Sequence, residues 1–310
     1  MTWILLAAAG QFLNAIVAVI DKYLVTEKSA LPRPFVYAFY SCLITGAWLL
    51  VFILSAVPGL SEIGFPDFAN VETPTLSVVG MAFLAAYTFF FALVSLYNAL
   101  SLADTSDVMP VIGAVSALSA FGMTYLFLDH NLTENFLWGG LLLIIGTGLV
   151  SQVQFTRSIL LFTIHAGVFF ALHNIAMKGL FLETSFDDGF FWSRVALFLF
   201  ALSLLLVPTY YEKIAKQTKS TSRNTGLLVL FAKVLAGVAA FMLLKATDWG
   251  EVSVVQALDG LKFVFILIIS FLVGKYTPVA AGENRYDLTT LIRKAMYVAI
   301  IAIGFVILFL

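Results

Sequence analysis

A chain of 310 residues that is 61% hydrophobic, 15% aromatic and only 11% charged, with a mean hydropathy of +1.01, cannot solvate its own surface. Soluble domains are about 25% charged, so a water-soluble fold is excluded and an all-α, polytopic membrane protein is expected. The formal net charge of −1 offers no basic surface for nucleic acid, and the lone Cys42 permits neither an intrachain disulfide nor a thiolate metal cluster.

A helix needs about 20 mostly apolar residues to cross roughly 30 Å of hydrocarbon. Along the chain this rule predicts ten spans, at 3–25, 35–57, 76–100, 108–128, 136–152, 158–181, 188–207, 225–247, 252–274 and 295–310. The first has no basic residue ahead of it and runs past the small-residue stretch Ala7–Gly10, so a retained helix is expected and not a cleaved signal. Prolines, acids and glycines mark the breaks: Pro32 and Pro34, Pro58 to Pro74, Asp104 to Asp107, Asp129 to Glu134, and Pro208 onward. The apolar runs are continuous and do not alternate, which favours helices over a barrel. The stretch 210–226, YYEKIAKQTKSTSRNTG, reads as a solvated connector.

Assigning alternate loops to opposite faces collects twelve cations on one side: Lys22, Lys28, Arg33, Arg157, Lys213, Lys216, Lys219, Arg223, Lys275, Arg285, Arg293 and Lys294. Only Lys178 and Lys245 fall on the other. The positive-inside rule places the twelve in the cytoplasm and both termini outside, in a cell membrane.

Two fives are visible within the ten. Shifting the chain by 147 lays 99–113, ALSLADTSDVMPVIG, over 246–260, ATDWGEVSVVQALDG. Asp104 then meets Glu251, Ser106 meets Ser253, Val108 meets Val255 and Gly113 meets Gly260. Near the start of each half AVIDKYL (18–24) meets NIAMKGL (174–180), aligning Lys22 with Lys178. Five is odd, so a second copy enters the membrane from the opposite side, and the expectation is ten transmembrane helices as two inverted five-helix repeats, 1–152 and 158–310.

With the block LYNALSLADTSDVMPVIGAVSALSAFGMTYLFLDHNLTENFLWGGLLLIIGTGLV (96–150) closing the first repeat, the sequence resembles the EamA family of the drug/metabolite transporter (DMT) superfamily. It departs from the family where Leu-Gly-Glu usually follows the fourth and ninth helices; here Leu128-Asp129-His130 and Val273-Gly274-Lys275 stand instead. The resemblance implies a secondary carrier for small metabolites with a central cavity lined by both repeats.

Ionisable side chains at mid-helix cost about 2.5–3.5 kcal/mol on insertion scales, so each calls for a partner, a wet cavity or a function. Asp259 and Lys262, spaced i, i+3, share a face with Gln256; the three read as cavity-lining, with Asp259 a candidate proton or cation site. Lys233 is a candidate partner for Asp259 or for a substrate carboxylate. Arg194, His173 and Asn174 complete the set in the second half, and His165 lies two turns before His173. Asn14, Tyr40, Tyr87, Tyr97 and Asn98 would line the first half. A neutral half facing a cationic one suggests a substrate with an anionic group and an apolar part.

No zinc-protease, diphosphate or nucleophile-elbow motif occurs, and no metal ligand set, cofactor or catalytic residue is expected. The favoured function is therefore a secondary active transporter for an amino acid, nucleoside or drug-like metabolite, working by alternating access as a monomer or homodimer in the lipid bilayer, with protons as the candidate coupling ion. A flippase for a lipid or lipid-linked sugar is the alternative, ahead of a membrane-embedded enzyme.

Overall fold

In the computed structural model, residues 2–26, 33–56, 65–128, 134–249, 258–276 and 288–309 are described. Among them the protein is all-helical, with eleven α-helices: α1 (Thr2–Thr26), α2 (Pro34–Gly46), α3 (Leu76–Leu102), α4 (Thr105–Leu128), α5 (Glu134–Gln154), α6 (Arg157–Glu183), α7 (Phe186–Ser203), α8 (Pro208–Ser220), α9 (Arg223–Trp249), α10 (Asp259–Tyr276) and α11 (Leu288–Phe309). All but α8 overlie the ten apolar segments. Six stretches are long and apolar enough to cross a membrane: Thr2–Thr26, Pro34–Ser55, Leu76–Leu102, Arg157–Glu183, Phe186–Leu206 and Arg223–Leu243. Shorter apolar helices occupy Thr105–Ala120 and Leu137–Leu149.

The helix starts follow local chemistry. Thr75, Thr156 and Ser185 each stand in extended backbone and accept a hydrogen bond from the amide three residues on, at 3.2, 3.4 and 3.2 Å. Each satisfies one of the four amide donors that a helix start leaves open. Pro34 and Pro208 open α2 and α8, where their missing donor costs nothing. Beyond Gly46 the second span tightens into a ten-residue 3-10 helix, Ala47–Ala56. Such runs seldom exceed three or four residues, and a long one inside a span marks a hinge or a strained stretch.

The stretch 210–226 departs from the solvated connector expected of it, because most of it is helix α8. Tyr210, Ile214 and Gln217 recur at helical spacing, and Ile214 and Gln217 are buried while Lys213, Lys216 and Lys219 face out. The Tyr210 ring lies 4.8 Å from Phe35, and Tyr40 shares a hydrogen bond with Thr218, so α8 is docked on α2.

The packing order is regular. Helix α3 lies along α6, and α1 along α9; α4 lies against α6, and α10 against α1; α4 pairs with α5, and α10 with α11. Helix α5 also packs on α11, and α2 on α7. Outward faces are apolar: Leu5, Leu76, Leu182 and Leu206 are all more than 70% exposed, an arrangement suited to lipid and not to water.

Close approach is set by small residues. A Cβ on Gly46 would stand 2.9 Å from the Phe198 backbone nitrogen, and one on Gly167 would stand 3.0 Å from the Ile112 carbonyl oxygen. On Gly237 it would fall within the indole of Trp48, so α9 carries glycine where the 3-10 segment presses its ring. Gly237→Ala is expected to lower stability by about 1–3 kcal/mol, the cost of overpacking. In detergent melts Trp48→Phe should partly rescue the alanine variant while destabilising the parent; two destabilisations that simply add would refute this contact.

Candidate binding site

Four helices bring charge together inside the bundle. Asp21, in the last turns of α1, meets Lys233 of α9, with Nζ 2.8 Å from Oδ1 and 3.0 Å from Oδ2. Tyr37, from the first turn of α2, donates its hydroxyl to the same carboxylate. Lys233 also lies 3.0 Å from the Tyr97 hydroxyl of α3, which in turn lies 2.9 Å from Ser41 Oγ. The two tyrosine rings are 4.4 Å apart, and the ammonium sits 4.6 Å over the Tyr37 ring. Asp21 is 5% and Lys233 4% exposed, so the pair is sealed from water and lipid alike. A buried pair this dry persists because both carboxylate oxygens and the ammonium are hydrogen-bonded.

Further polar links surround that end of the bundle. Lys22 donates to the Leu100 and Ala103 carbonyls at 2.7 and 2.9 Å, holding α1 on the end of α3. Lys294 of α11 reaches Asp104 at 3.0 Å, Ser106 at 3.1 Å and Asp107 at 2.8 Å. Both lysines are buried, whereas the loop count had treated them as solvated cations. For Lys294 the reason is helix length, since α11 already begins at Leu288; Lys22 lies within the expected span 3–25 and is covered by the end of α3.

At the other end, the 65–77 segment is tied to the α6–α7 turn. Asp187 accepts from the Asp67 amide at 3.2 Å and from Asn70 at 2.7 Å, and Trp192 donates to the Glu72 carbonyl at 3.1 Å. Eight residues into α7, roughly 12 Å below this cap, lies Arg194. Its guanidinium is 4.8 Å over the Phe190 ring and within electrostatic reach of Cys42 and His173. Among the described residues its buried Nε has no hydrogen-bond partner, and no ion pair engages the side chain.

The other expected residues are distributed as follows. Lys233 and Tyr97 enter the charged cluster, with Asp21 and not Asp259 as the lysine's partner. Asp259 accepts from Gln11 of α1, and Lys262 rests 5.3 Å over the Phe263 ring, so the expected Asp259–Lys262 pair is not formed. The shared face is real, but the Gln11 amide fills the space beside the carboxylate. His173 is spent on the Ala85 carbonyl at 2.9 Å and His165 on Ser95 Oγ at 2.7 Å. Asn98 bonds the Val94 carbonyl of its own helix at 2.7 Å. Tyr40 is turned to α8; Tyr87 and Asn174 are exposed; Asn14 is half-buried on α1. Gln256 lies outside the described residues. Among the described residues no group of acids, histidines and cysteine is placed to hold a metal ion.

The residues missed from sequence are Asp21, Tyr37 and Ser41. Asp21 carried a usable signal: it lies inside the first apolar segment, where a carboxylate requires a counter-charge. Tyr37 and Ser41 carried none beyond their spacing of four on one helix face.

No family model and no curated protein matches the chain. A solved structure described only as "Crystal structure of protein" aligns with a TM-score of 0.58 and 16% identity, over 99% of this chain and 96% of that one. At that identity the likeness is one of fold, and it extends from end to end.

Proposed function

We propose that the chain is a secondary active transporter of the EamA kind, in the DMT superfamily, moving a small metabolite across the cell membrane by alternating access. The observation that carries this reading is the charged centre where the halves meet. Asp21, Tyr37, Ser41 and Tyr97 come from the first half and Lys233 from the second. A pair that is buried and dry in one conformer and parted in another is the two-state element that alternating access needs.

The packing order supports two inverted repeats, 1–152 and 158–310. Three of the larger contacts have a counterpart five spans on: α1 on α9 answers α6 on α3, α10 on α1 answers α4 on α6, and α10 with α11 answers α4 with α5. Gly113 and Gly260, aligned by the repeat, both stand in tight helix contacts, against Phe263 and Ala302. The 3-10 segment 47–56 supplies a hinge beside the α2–α7 seam. On the charge count, the end closed by Lys22, Lys233 and Lys294 is cytoplasmic and the 65–77 cap faces outward.

Proteoliposomes with and without the protein, offered a mixed metabolite pool with a proton gradient on or off, test the proposal. Protein-dependent accumulation of one solute class, enhanced by the gradient, is expected. Accumulation indifferent to the protein, with labelled lipid crossing between leaflets, would replace the carrier with a flippase.

A further inference from the structure

One cation inside the bundle, Arg194, has no counter-charge beside it among the described residues. Lys233 is neutralised by Asp21, and Lys294 stands between Asp104 and Asp107. Among the described residues Arg194 has no carboxylate partner, and none of its five N–H donors is used. Phe190 covers one face of the guanidinium, an interaction made through the plane of the ring that leaves the in-plane donors unspent. The side chain is half-buried, with Nε sealed and without a partner while the rest of the guanidinium keeps some exposure. A fixed, always-charged fork held in a low-dielectric interior with every donor idle lacks a counter-charge.

We propose that Arg194 is the anchor of a binding site for a single-charged organic anion, a monocarboxylate with an apolar or aromatic body, held by a two-toothed guanidinium–carboxylate contact. The number of cations sets the charge. One guanidinium balances one negative charge, and the other cation in reach of Cys42, Lys233, is already spent on Asp21, so a phosphate dianion would remain half-compensated. The shape comes from the guanidinium, whose parallel donors match the two oxygens of a carboxylate. The apolar body follows from the walls: Phe190 stacks in an aromatic cluster with Phe52 and Phe191. Treating this anion as cargo rests on the carrier reading; the binding itself does not.

The test is a thermal-shift and tryptophan-fluorescence titration of purified protein with phenylacetate, phenylacetamide and phenyl phosphate, extended to a panel of aliphatic monocarboxylates and their amides. At least one carboxylate is expected to bind at least tenfold more tightly than both its amide and phenyl phosphate. Arg194→Gln should abolish that binding, and Arg194→Lys, which keeps the charge but loses the fork, should weaken it about tenfold. Arg194→Met should melt no lower than the parent, because no partner is orphaned; a lowered melting temperature would assign Arg194 a structural role and overturn the proposal. Equal affinity for acids and amides, undiminished binding by Arg194→Gln, or no carboxylate binding across the panel would also overturn it. Failure here alongside proton-driven uptake of a neutral solute would leave the carrier standing, whereas binding without any transport would remove the carrier and keep the site.

Discussion

Asp21→Asn is expected to destabilise the folded protein by about 3–5 kcal/mol, seen as a large fall in melting temperature in detergent. The substitution keeps the size of the side chain but leaves the Lys233 ammonium buried without its counter-charge, with a neutral amide oxygen, the Tyr97 hydroxyl and two ring faces for compensation. Lys233→Met should cost a similar amount, since it strands the carboxylate with Tyr37 alone. The double variant Asp21→Asn, Lys233→Met removes both charges and should regain most of the lost stability, because burying a pair yields little net gain over an apolar replacement. Single and double variants melting alike would mean that the pair is not coupled in solution.

Lys294→Met is expected to have the second large effect. One ammonium there sits 3.0 and 2.8 Å from two carboxylates, and its loss leaves Asp104 and Asp107 buried side by side. Removing one partner of a buried charge pair costs about 3–5 kcal/mol, and mutual repulsion between the acids adds to it while Lys22, in electrostatic reach of Asp107, offsets part. Asp107→Asn in the Lys294→Met background should recover part of the loss, while Asp107→Asn alone should be milder than Lys294→Met because Asp104 still balances the lysine. An unchanged melting temperature for Lys294→Met would show that α11 is not held to the α3–α4 turn by this contact.

The all-helical class was legible because apolar length is a local property: a helix overlies each of the ten apolar stretches, and six stretches are long and apolar enough to cross a membrane. Helix α8 escaped the same count because its 13 residues are amphipathic, and a window tuned to hydrocarbon thickness passes over a helix that buries only Ile214 and Gln217. Lys233, Tyr97 and Arg194 were found as polar residues within apolar runs, which is again local information.

Their partners were not legible. Asp21 and Lys233 are 212 positions apart, and only tertiary packing of α1 along α9 makes them neighbours. Local spacing instead favoured Asp259 with Lys262, where the i, i+3 relation holds on the helix but Gln11 from α1 engages the carboxylate. Lys22, inside the expected span 3–25, and Lys294, just ahead of 295–310, count with the cations of one face because they stand at the ends of apolar runs, and burial at a helix end depends on what packs there. The carbonyls of Leu100 and Ala103 and the acids of the α3–α4 turn supply that packing.

The central claim is that Asp21 and Lys233 form a latch between two moving halves and do not merely hold a static bundle together. The most direct measurement is uptake into proteoliposomes by the parent and by the refolded Asp21→Asn, Lys233→Met double variant, each verified by its melt. The account predicts a folded double variant whose gradient-driven accumulation is lost; a folded double variant that accumulates solute at the parental rate would contradict it.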